Sequence, residues 1–145
     1  MSGDAISLEE LENAYRRVSR ALYRAQEDAL DFAAEEIITA LERDQTIVDA
    51  AFFVLIFGQV ESRINGLASS QLTRPEQRAA LREAKFGQRL GKALPGAGWR
   101  RVREELEGWY QTRNRAAHGE ELAGGYNISG IFERARELDA LLLHP

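Results

Sequence analysis

The sequence predicts an all-α protein, built as a single bundle of about five helices. Apolar residues recur at intervals of three and four along most of the chain, and the sequence shows no alternating strand pattern. The length of 145 residues fits one domain, and the composition, 44% hydrophobic and 29% charged, is typical of a folded globular chain. We therefore expect one domain over residues 1–145.

A capping box marks the start of the first predicted helix. Ser7 is followed three residues later by Glu10, an arrangement in which each side chain bonds the backbone amide of the other residue. Behind the box, apolar residues form one stripe: Leu8, Leu11, Tyr15, Val18, Leu22, Ala25, Ala29 and Phe32. This pattern predicts one long helix over residues 8–43.

The second predicted helix should lie in the middle of the bundle. Thr46 and Asp49 form another capping box, which predicts a helix over residues 47–69. Its apolar run, residues 50–57, shows no polar face for two turns, so we expect burial on all sides.

Three further helices complete the predicted bundle. Thr73 and Glu76 form a third capping box, at the start of a helix predicted over residues 74–92. A segment rich in Pro and Gly then breaks the chain. Helical spacing of apolar residues predicts helices over 99–117 and 130–143, with a Gly-rich loop between them.

Residue types that are missing from the chain exclude several kinds of site. With no Cys and only two His, it cannot form a disulfide, a Cys nucleophile or a Cys/His metal site. It also lacks a Gly-rich phosphate loop and a Gly-x-Ser-x-Gly elbow, so we expect neither metal nor cofactor. The first ten residues carry acids instead of the basic residues of a signal peptide, and the longest apolar run is under half a membrane span. We expect a cytoplasmic protein with no membrane segment.

Charge is distributed unevenly, although the formal net charge is only −4. Residues 1–73 hold 6 basic and 13 acidic side chains, whereas residues 74–103 hold 9 basic and 2 acidic ones. Six cations of the second block follow at spacings of three and four, which places them along one helical stripe: Arg74, Arg78, Arg82, Lys85, Arg89 and Lys92. The stripe is either a solvated face paired with the acidic first helix or a surface that follows RNA phosphates.

Chemically active side chains cluster at the end of the fourth predicted helix, over residues 109–119. A helix places Tyr110, Asn114 and His118 on one face. Arg113 and His118 are five residues apart, about 140° from each other around the helix. A joint site therefore requires a helix break near His118, which Gly119 would supply, or a second subunit.

The string Arg-Asn-x-x-Ala-His-Gly, residues 113–119, resembles the motif of the HEPN superfamily of prokaryotic RNases and toxins. The string lies in the last third of a helical chain, a placement that also resembles HEPN domains. Glu61, an acidic residue after the apolar run, resembles an acidic residue that many of these domains carry. The resemblance covers about residues 8–143 and implies a symmetric homodimer. It also implies metal-independent RNA cleavage, in which the ribose 2′-hydroxyl attacks the adjacent phosphate and leaves a cyclic phosphate and a 5′-hydroxyl.

The resemblance implies roles for individual residues. His118 would exchange a proton near neutral pH, and Arg113 would stabilise charge on the phosphorane oxygens through its planar fork of donors. Asn114 would orient the phosphate or the imidazole, and Arg115 would contact RNA. Glu61 would fix Arg113 or tune His118. Tyr110, like Glu61, would support the site from nearby.

Simpler structural roles stay open for the same residues. His118 could cap helix carbonyls, and Arg113 could form an ordinary salt bridge. Glu61 could pair with Arg63 or with an arginine elsewhere. His144 has no Arg upstream at an allowed spacing, and we expect it to be an exposed terminal residue. Three aromatic residues favour core or dimer-interface packing over base stacking: Trp99, Trp109 and Tyr110.

The sequence thus predicts a metal-independent endoribonuclease, the toxin or effector of a toxin–antitoxin or phage-defence system, with RNA as substrate and an antitoxin or defence protein as a further partner. The alternative is a non-catalytic dimerisation, adaptor or RNA-binding module. Some family toxins are silenced by a nucleotidyltransferase that modifies a Tyr two residues after the motif His. This chain has Glu120 at that position, so that particular relation is not expected.

Overall fold

The computed structural model describes residues 5–122 and 126–143. Over these ranges it contains no β-strand and consists of six α-helices and a 3₁₀ turn: α1 Leu8–Asp31, α2 Glu35–Ser70, α3 Pro75–Glu83, α4 Phe86–Ala93, the turn Ala97–Trp99, α5 Arg100–Ala117 and α6 Ile128–Leu143. The all-α prediction is confirmed, with one more α-helix than expected. The described residues share one hydrophobic core and form one compact domain.

α1 begins where predicted and ends earlier. The amide of Glu10 donates to Ser7 Oγ at 3.1 Å, and the amide of Ser7 donates to the Glu10 carboxylate at 3.3 Å, so the capping box is formed. The predicted helix over 8–43 is wrong beyond Asp31, because Ala33 adopts a left-handed conformation with φ 51° and ends the helix. Alanine gives no sequence signal for such a turn, since this conformation is unfavourable for it.

α2 starts before the predicted boundary and runs through the middle of the molecule, against α1, α4, α5 and α6. The Thr46 hydroxyl, predicted to cap the helix, bonds the Glu42 carbonyl at 3.2 Å inside it. The predicted burial of residues 50–57 on all sides is correct only in part: Phe53, Ile56 and Phe57 are buried, whereas Ala51 is exposed. Val60 and Ile64 continue the buried face. Leu55 departs from the prediction because it lies on the one outward face of this segment, 49% exposed.

The turn between α1 and α2 projects with little buried surface. Tyr15 joins the amino-terminal half of α1 to α2, because its hydroxyl donates to Asp49 at 2.7 Å. Burial, with this bond, raises the pKa of Tyr15 to about 12. Beyond Tyr15, Ala29 is the only residue of α1 that is fully buried. The predicted apolar stripe therefore leaves the core, and Phe32 at its end is 84% exposed.

The helix predicted over residues 74–92 is two helices. Ala84 and Lys85 have extended backbones, with ψ of 152° and 153°, and separate α3 from α4. Pro75 starts α3 at a position where its missing N–H is not needed, and the capping box predicted at Thr73 is not formed. The predicted cationic stripe is consequently divided between two helices.

α5 and α6 lie within two residues of their predicted boundaries. Before α5, Arg103 Nη1 donates to the carbonyls of Leu94 and Gly96 at 2.6 Å each and holds the predicted chain break in place. Arg134 of α6 binds Glu105 of α5 at 2.7 Å. The apolar face of α6 is buried as predicted: Ile131, Phe132, Ala135, Leu138 and Leu142.

Candidate functional site

α5 ends at the predicted site in a Schellman turn. His118 is the cap residue, and Gly119 follows with φ 85°, which glycine adopts without strain. The Gly119 amide donates to the Ala116 carbonyl at 3.1 Å, and the Glu120 amide donates to the Arg115 carbonyl at 2.9 Å. The helix break predicted at Gly119 is confirmed, and it fixes the backbone around His118.

Arg113 and Asn114 form a bonded pair one turn before His118. Arg113 Nη1 donates to Asn114 Oδ1 at 3.0 Å, and both side chains are half-buried. The Asn114 carbonyl accepts the His118 amide at 3.1 Å. Arg113 is thus bonded to Asn114, whose backbone also bonds His118; no side-chain hydrogen bond among the described residues joins Arg113 to the imidazole.

The His118 side chain is exposed, and a bond to α2 fastens the loop that follows it. Glu121 forms a salt bridge with Arg43 of α2. A cleft of about 190 Å³ lies between α2 and this end of α5, lined in part by Ile47 and Gly119. Arg43 is a residue that sequence reasoning missed, because 78 positions separate it from its partner and no motif connects them.

Tyr110 and Trp109 pack in the core. The Tyr110 ring stacks on Phe86 of α4, with centroids 4.9 Å apart. Trp109 is 4% exposed and lies 5.9 Å from the Phe53 ring. Tyr110 is two turns from His118, roughly 12 Å along the axis, so the expected supporting role of Tyr110 is corrected to packing against Phe86. Core packing, which the sequence favours over base stacking for Trp109 and Tyr110, is what the structure contains.

Glu61 binds an arginine of the basic segment instead of Arg113. Its carboxylate lies 3.3 Å from Arg89 Nη2, while Arg89 Nη1 donates to Asn65 at 2.6 Å. The Arg89 guanidinium also lies 5.6 Å from the Phe86 ring centroid. With side chains only 17% and 24% exposed, Arg89 and Glu61 form a half-buried ion pair, although Arg89 Nε is buried without a hydrogen-bond partner among the described residues. Two expectations are thereby corrected: Glu61 does not hold Arg113, and Arg89 is not free to follow RNA.

The other cations of the predicted stripe are exposed, but they do not form one row: Arg74 precedes α3, Arg78 and Arg82 lie on it, Lys85 precedes α4 and Lys92 lies on it. The Arg78 Nε also donates to the Leu72 carbonyl at 3.1 Å. The break at Ala84 redirects the chain between the two groups. We call this surface, residues 74–92 next to the carboxyl end of α2, the basic end.

Among the described residues, neither a metal site nor a membrane-spanning helix is found. Residues 5–122 and 126–143 hold no group of three or more His, Cys, Asp or Glu arranged for a metal ion. In the same ranges, no helix combines the length and apolar character needed to span a membrane. His144 lies outside the described residues, as does part of the Gly-rich loop.

No family model, curated protein or solved structure matches the chain.

Proposed function

We propose that the chain is a metal-independent endoribonuclease of the HEPN type, acting as a toxin or defence effector, with Arg113, Asn114 and His118 at its site. The observation that carries the proposal is the Arg-Asn-x-x-Ala-His-Gly string at the exposed carboxyl end of a helix in an all-α chain. The Arg113–Asn114 bond and the exposed imidazole support it, because an RNA strand can reach these groups without any opening of the core.

In the proposed reaction, His118 takes the proton of a ribose 2′-hydroxyl, and the freed oxygen attacks the adjacent phosphorus. The bond from phosphorus to the 5′-oxygen breaks, and this oxygen takes a proton from the imidazolium of a second copy in a symmetric dimer. The products are a 2′,3′-cyclic phosphate and a 5′-hydroxyl. Arg113 stabilises the charge on the phosphorane oxygens, and Asn114 orients the guanidinium through its side-chain oxygen.

Arg115 supplies a further phosphate contact in this proposal. Its side chain is exposed and lies three residues before His118, a spacing that makes the two neighbours on the helix surface. A cation there can neutralise a phosphate next to the reacting one and fix the register of the strand.

A second candidate function is a non-catalytic assembly module, which the exposed apolar side chains at the turn between α1 and α2 favour. Leu30, Phe32 and Ile37 are 64%, 84% and 55% exposed. Adjacent exposed apolar residues are typical of surfaces that bind another protein.

Cleavage of a defined RNA in excess chelator tests the proposed activity. We expect products with 2′,3′-cyclic phosphate ends, identified by mass spectrometry. His118→Ala and Arg113→Ala should each lower the rate by about 10²–10⁴-fold. The matched controls Gln111→Ala and Arg101→Ala replace exposed residues of the same helix and should cleave like the parent.

Two outcomes would overturn the ribonuclease proposal. One is an unchanged rate for folded His118→Ala protein. The other is no cleavage of any tested RNA at any protein concentration by a folded parent, which would favour the assembly module.

A further inference from the structure

Opposite charges lie at the two ends of α2. We call residues 27–37 the hairpin tip; they comprise the turn between α1 and α2 and the adjoining ends of both helices. The hairpin tip carries five acidic and no basic side chains, whereas the basic end carries six basic and two acidic ones. α2 spans 36 residues, or about 54 Å. The hairpin tip adjoins its first residues, whereas the basic end packs along its second half, where Phe86 contacts Phe57 and Arg89 bonds Asn65. Among the described residues, the salt bridges use no tip carboxylate and only one cation of the basic end, Arg89.

The hairpin tip combines its acids with an exposed aromatic ring. Phe32 is the cap residue of α1 and stands at the apex of the turn, 84% exposed, beside Leu30 and Ile37. Asp31 and Glu35 flank it in the chain. A partner for this surface needs an apolar recess with positive charge around it.

A recess of this kind lies between α3 and α4, at the basic end of the same chain. It has a volume of about 650 Å³ and is lined mainly by small and aliphatic side chains, among them Leu72, Ala80, Leu81 and Ala84. Lys92 also lines it. Lys92 is therefore the cation in the recess itself. The exposed Arg78 and Arg82 lie on the same helix as its apolar wall, and Arg82 borders the neighbouring hollow beside Asn65.

We propose that the hairpin tip of one copy docks into the α3–α4 recess of a second copy, with Phe32 in the recess and the tip carboxylates against the cations of the basic end. In an antiparallel dimer the contact forms twice, because each copy offers one tip and one recess. A second copy is the favoured occupant, since the apolar ring, the recess and both charges are complementary within one sequence.

The dimer geometry has a consequence for the proposed active site. In such a dimer the two-fold axis would pass between the two α2 helices, near the middle of each, where Ala51 lies. At this level Ala116 and Gly119 line the same cleft as Ala51. The carboxyl ends of the two α5 helices therefore lie at one level along the dimer. The docking itself does not depend on ribonuclease activity.

Sedimentation velocity at low salt tests the docking by charge reversal. The parent should be a dimer that weakens as salt rises, because salt screens the charges. A tip variant with Asp28→Arg, Asp31→Arg, Glu35→Arg and Glu36→Arg changes the charge of the hairpin tip from −5 to +3. A recess variant with Arg78→Glu, Arg82→Glu and Lys92→Glu changes the charge of the basic end from +4 to −2. Each variant alone should be monomeric. An equimolar mixture of the two should dimerise again, since the reversed tip meets the reversed recess while the two parental surfaces also meet.

Phe32→Ala tests the apolar part of the contact. It should raise the dissociation constant by about tenfold or more, as expected when a central aromatic anchor is removed. The matched control is Leu141→Ala on α6, where the parent side chain is 45% exposed, and it should dimerise like the parent. Circular dichroism should show an unchanged helical content in all these variants.

Three results would overturn the proposal: a parent that is monomeric at all concentrations, a tip variant that still dimerises, or a mixture of reversed variants that stays monomeric. A monomeric parent that loses binding of a labelled RNA on reversal of Arg78, Arg82 and Lys92 would assign the basic end to RNA instead. His118→Ala should dimerise normally, so its loss of cleavage and a failure of docking are separate results.

Discussion

α1 and α5 end in the same backbone turn, yet the two turns expose different chemistry. In α1 the Ala34 amide donates to the Ala29 carbonyl at 3.0 Å, and in α5 the Glu120 amide donates to the Arg115 carbonyl at 2.9 Å. Each turn exposes its cap residue, which is Phe32 in α1 and His118 in α5.

The surroundings of the two caps decide what each can do. Before Phe32 the chain carries acids and apolar groups, which suit contact with another protein surface. Before His118 it carries the bonded pair Arg113 and Asn114, which suit a phosphate. A shared backbone geometry therefore predicts exposure of the cap residue, whereas function has to be read from the preceding turn.

The two turns also differ in how firmly the core holds them, and truncation of one aromatic residue near each should measure this. Trp109→Ala removes a ring that is 4% exposed and should lower the free energy of unfolding by about 3–5 kcal/mol. Tyr23→Ala on α1, where the ring is 61% exposed, should change it by less than about 0.5 kcal/mol. Chemical denaturation checks both, and similar losses would show that α1 is anchored as firmly as α5.

His118→Phe gives the α5 turn the cap residue of the α1 turn. Because the cap side chain is exposed, stability should change by less than about 0.5 kcal/mol. RNA cleavage should fall by at least about 100-fold, since phenylalanine cannot transfer a proton. Parallel thermal and cleavage assays check the pair of expectations, and a stable variant with full cleavage would remove His118 from the mechanism.

Gly119→Ala should weaken the α5 turn. Gly119 has φ 85°, and no atom lies within 4 Å of the place that the alanine Cβ would occupy. The substitution therefore costs backbone strain alone and should lower the free energy of unfolding by about 1–2 kcal/mol. Gly58→Ala is the matched control, because it lies inside α2 with equally open space and should stabilise by up to about 1 kcal/mol. Equal shifts for the two variants in denaturant titrations would contradict the left-handed geometry at Gly119.

Ala33→Gly should change stability less than Gly119→Ala and in the opposite direction. It relieves the strain of φ 51° in the α1 turn, while the greater freedom of glycine in the unfolded chain offsets part of the gain. A net increase of about 0.5–1 kcal/mol in unfolding free energy is expected by the same titration. A decrease would mean that alanine is not strained in this turn.

Local signals in the sequence were sufficient for much of the fold. The capping box at Ser7, the buried centre of α2 and the end of α5 at Gly119 follow from residue spacing and glycine chemistry. The sequence gives no such signal for the turn at Ala33, because the left-handed conformation that this residue adopts is unfavourable for alanine. The sequence likewise gives no signal for the extended backbone at Ala84 and Lys85, which separates α3 from α4.

Side-chain partners were harder to predict than helices. Helical spacing correctly places Tyr110 and His118 on one face of α5. It does not reveal that Phe86 of α4 stacks on the Tyr110 ring. Glu61 pairs with Arg89, 28 residues away, for the same reason. Both outcomes depend on which helices meet, and spacing within one helix does not determine that. The Arg113–Asn114 bond joins sequence neighbours, so it does not depend on contact between two helices.

The charge separation along α2 gives the molecule a permanent electric dipole moment directed along its long axis. Its sense opposes the macrodipole of α2, whose positive amino end carries Glu35 and Glu36. In the field of any polyanion the molecule would rotate before contact, with the basic end leading and the hairpin tip trailing. Encounters with such a ligand would then begin from one preferred orientation, and raising the ionic strength would randomise them.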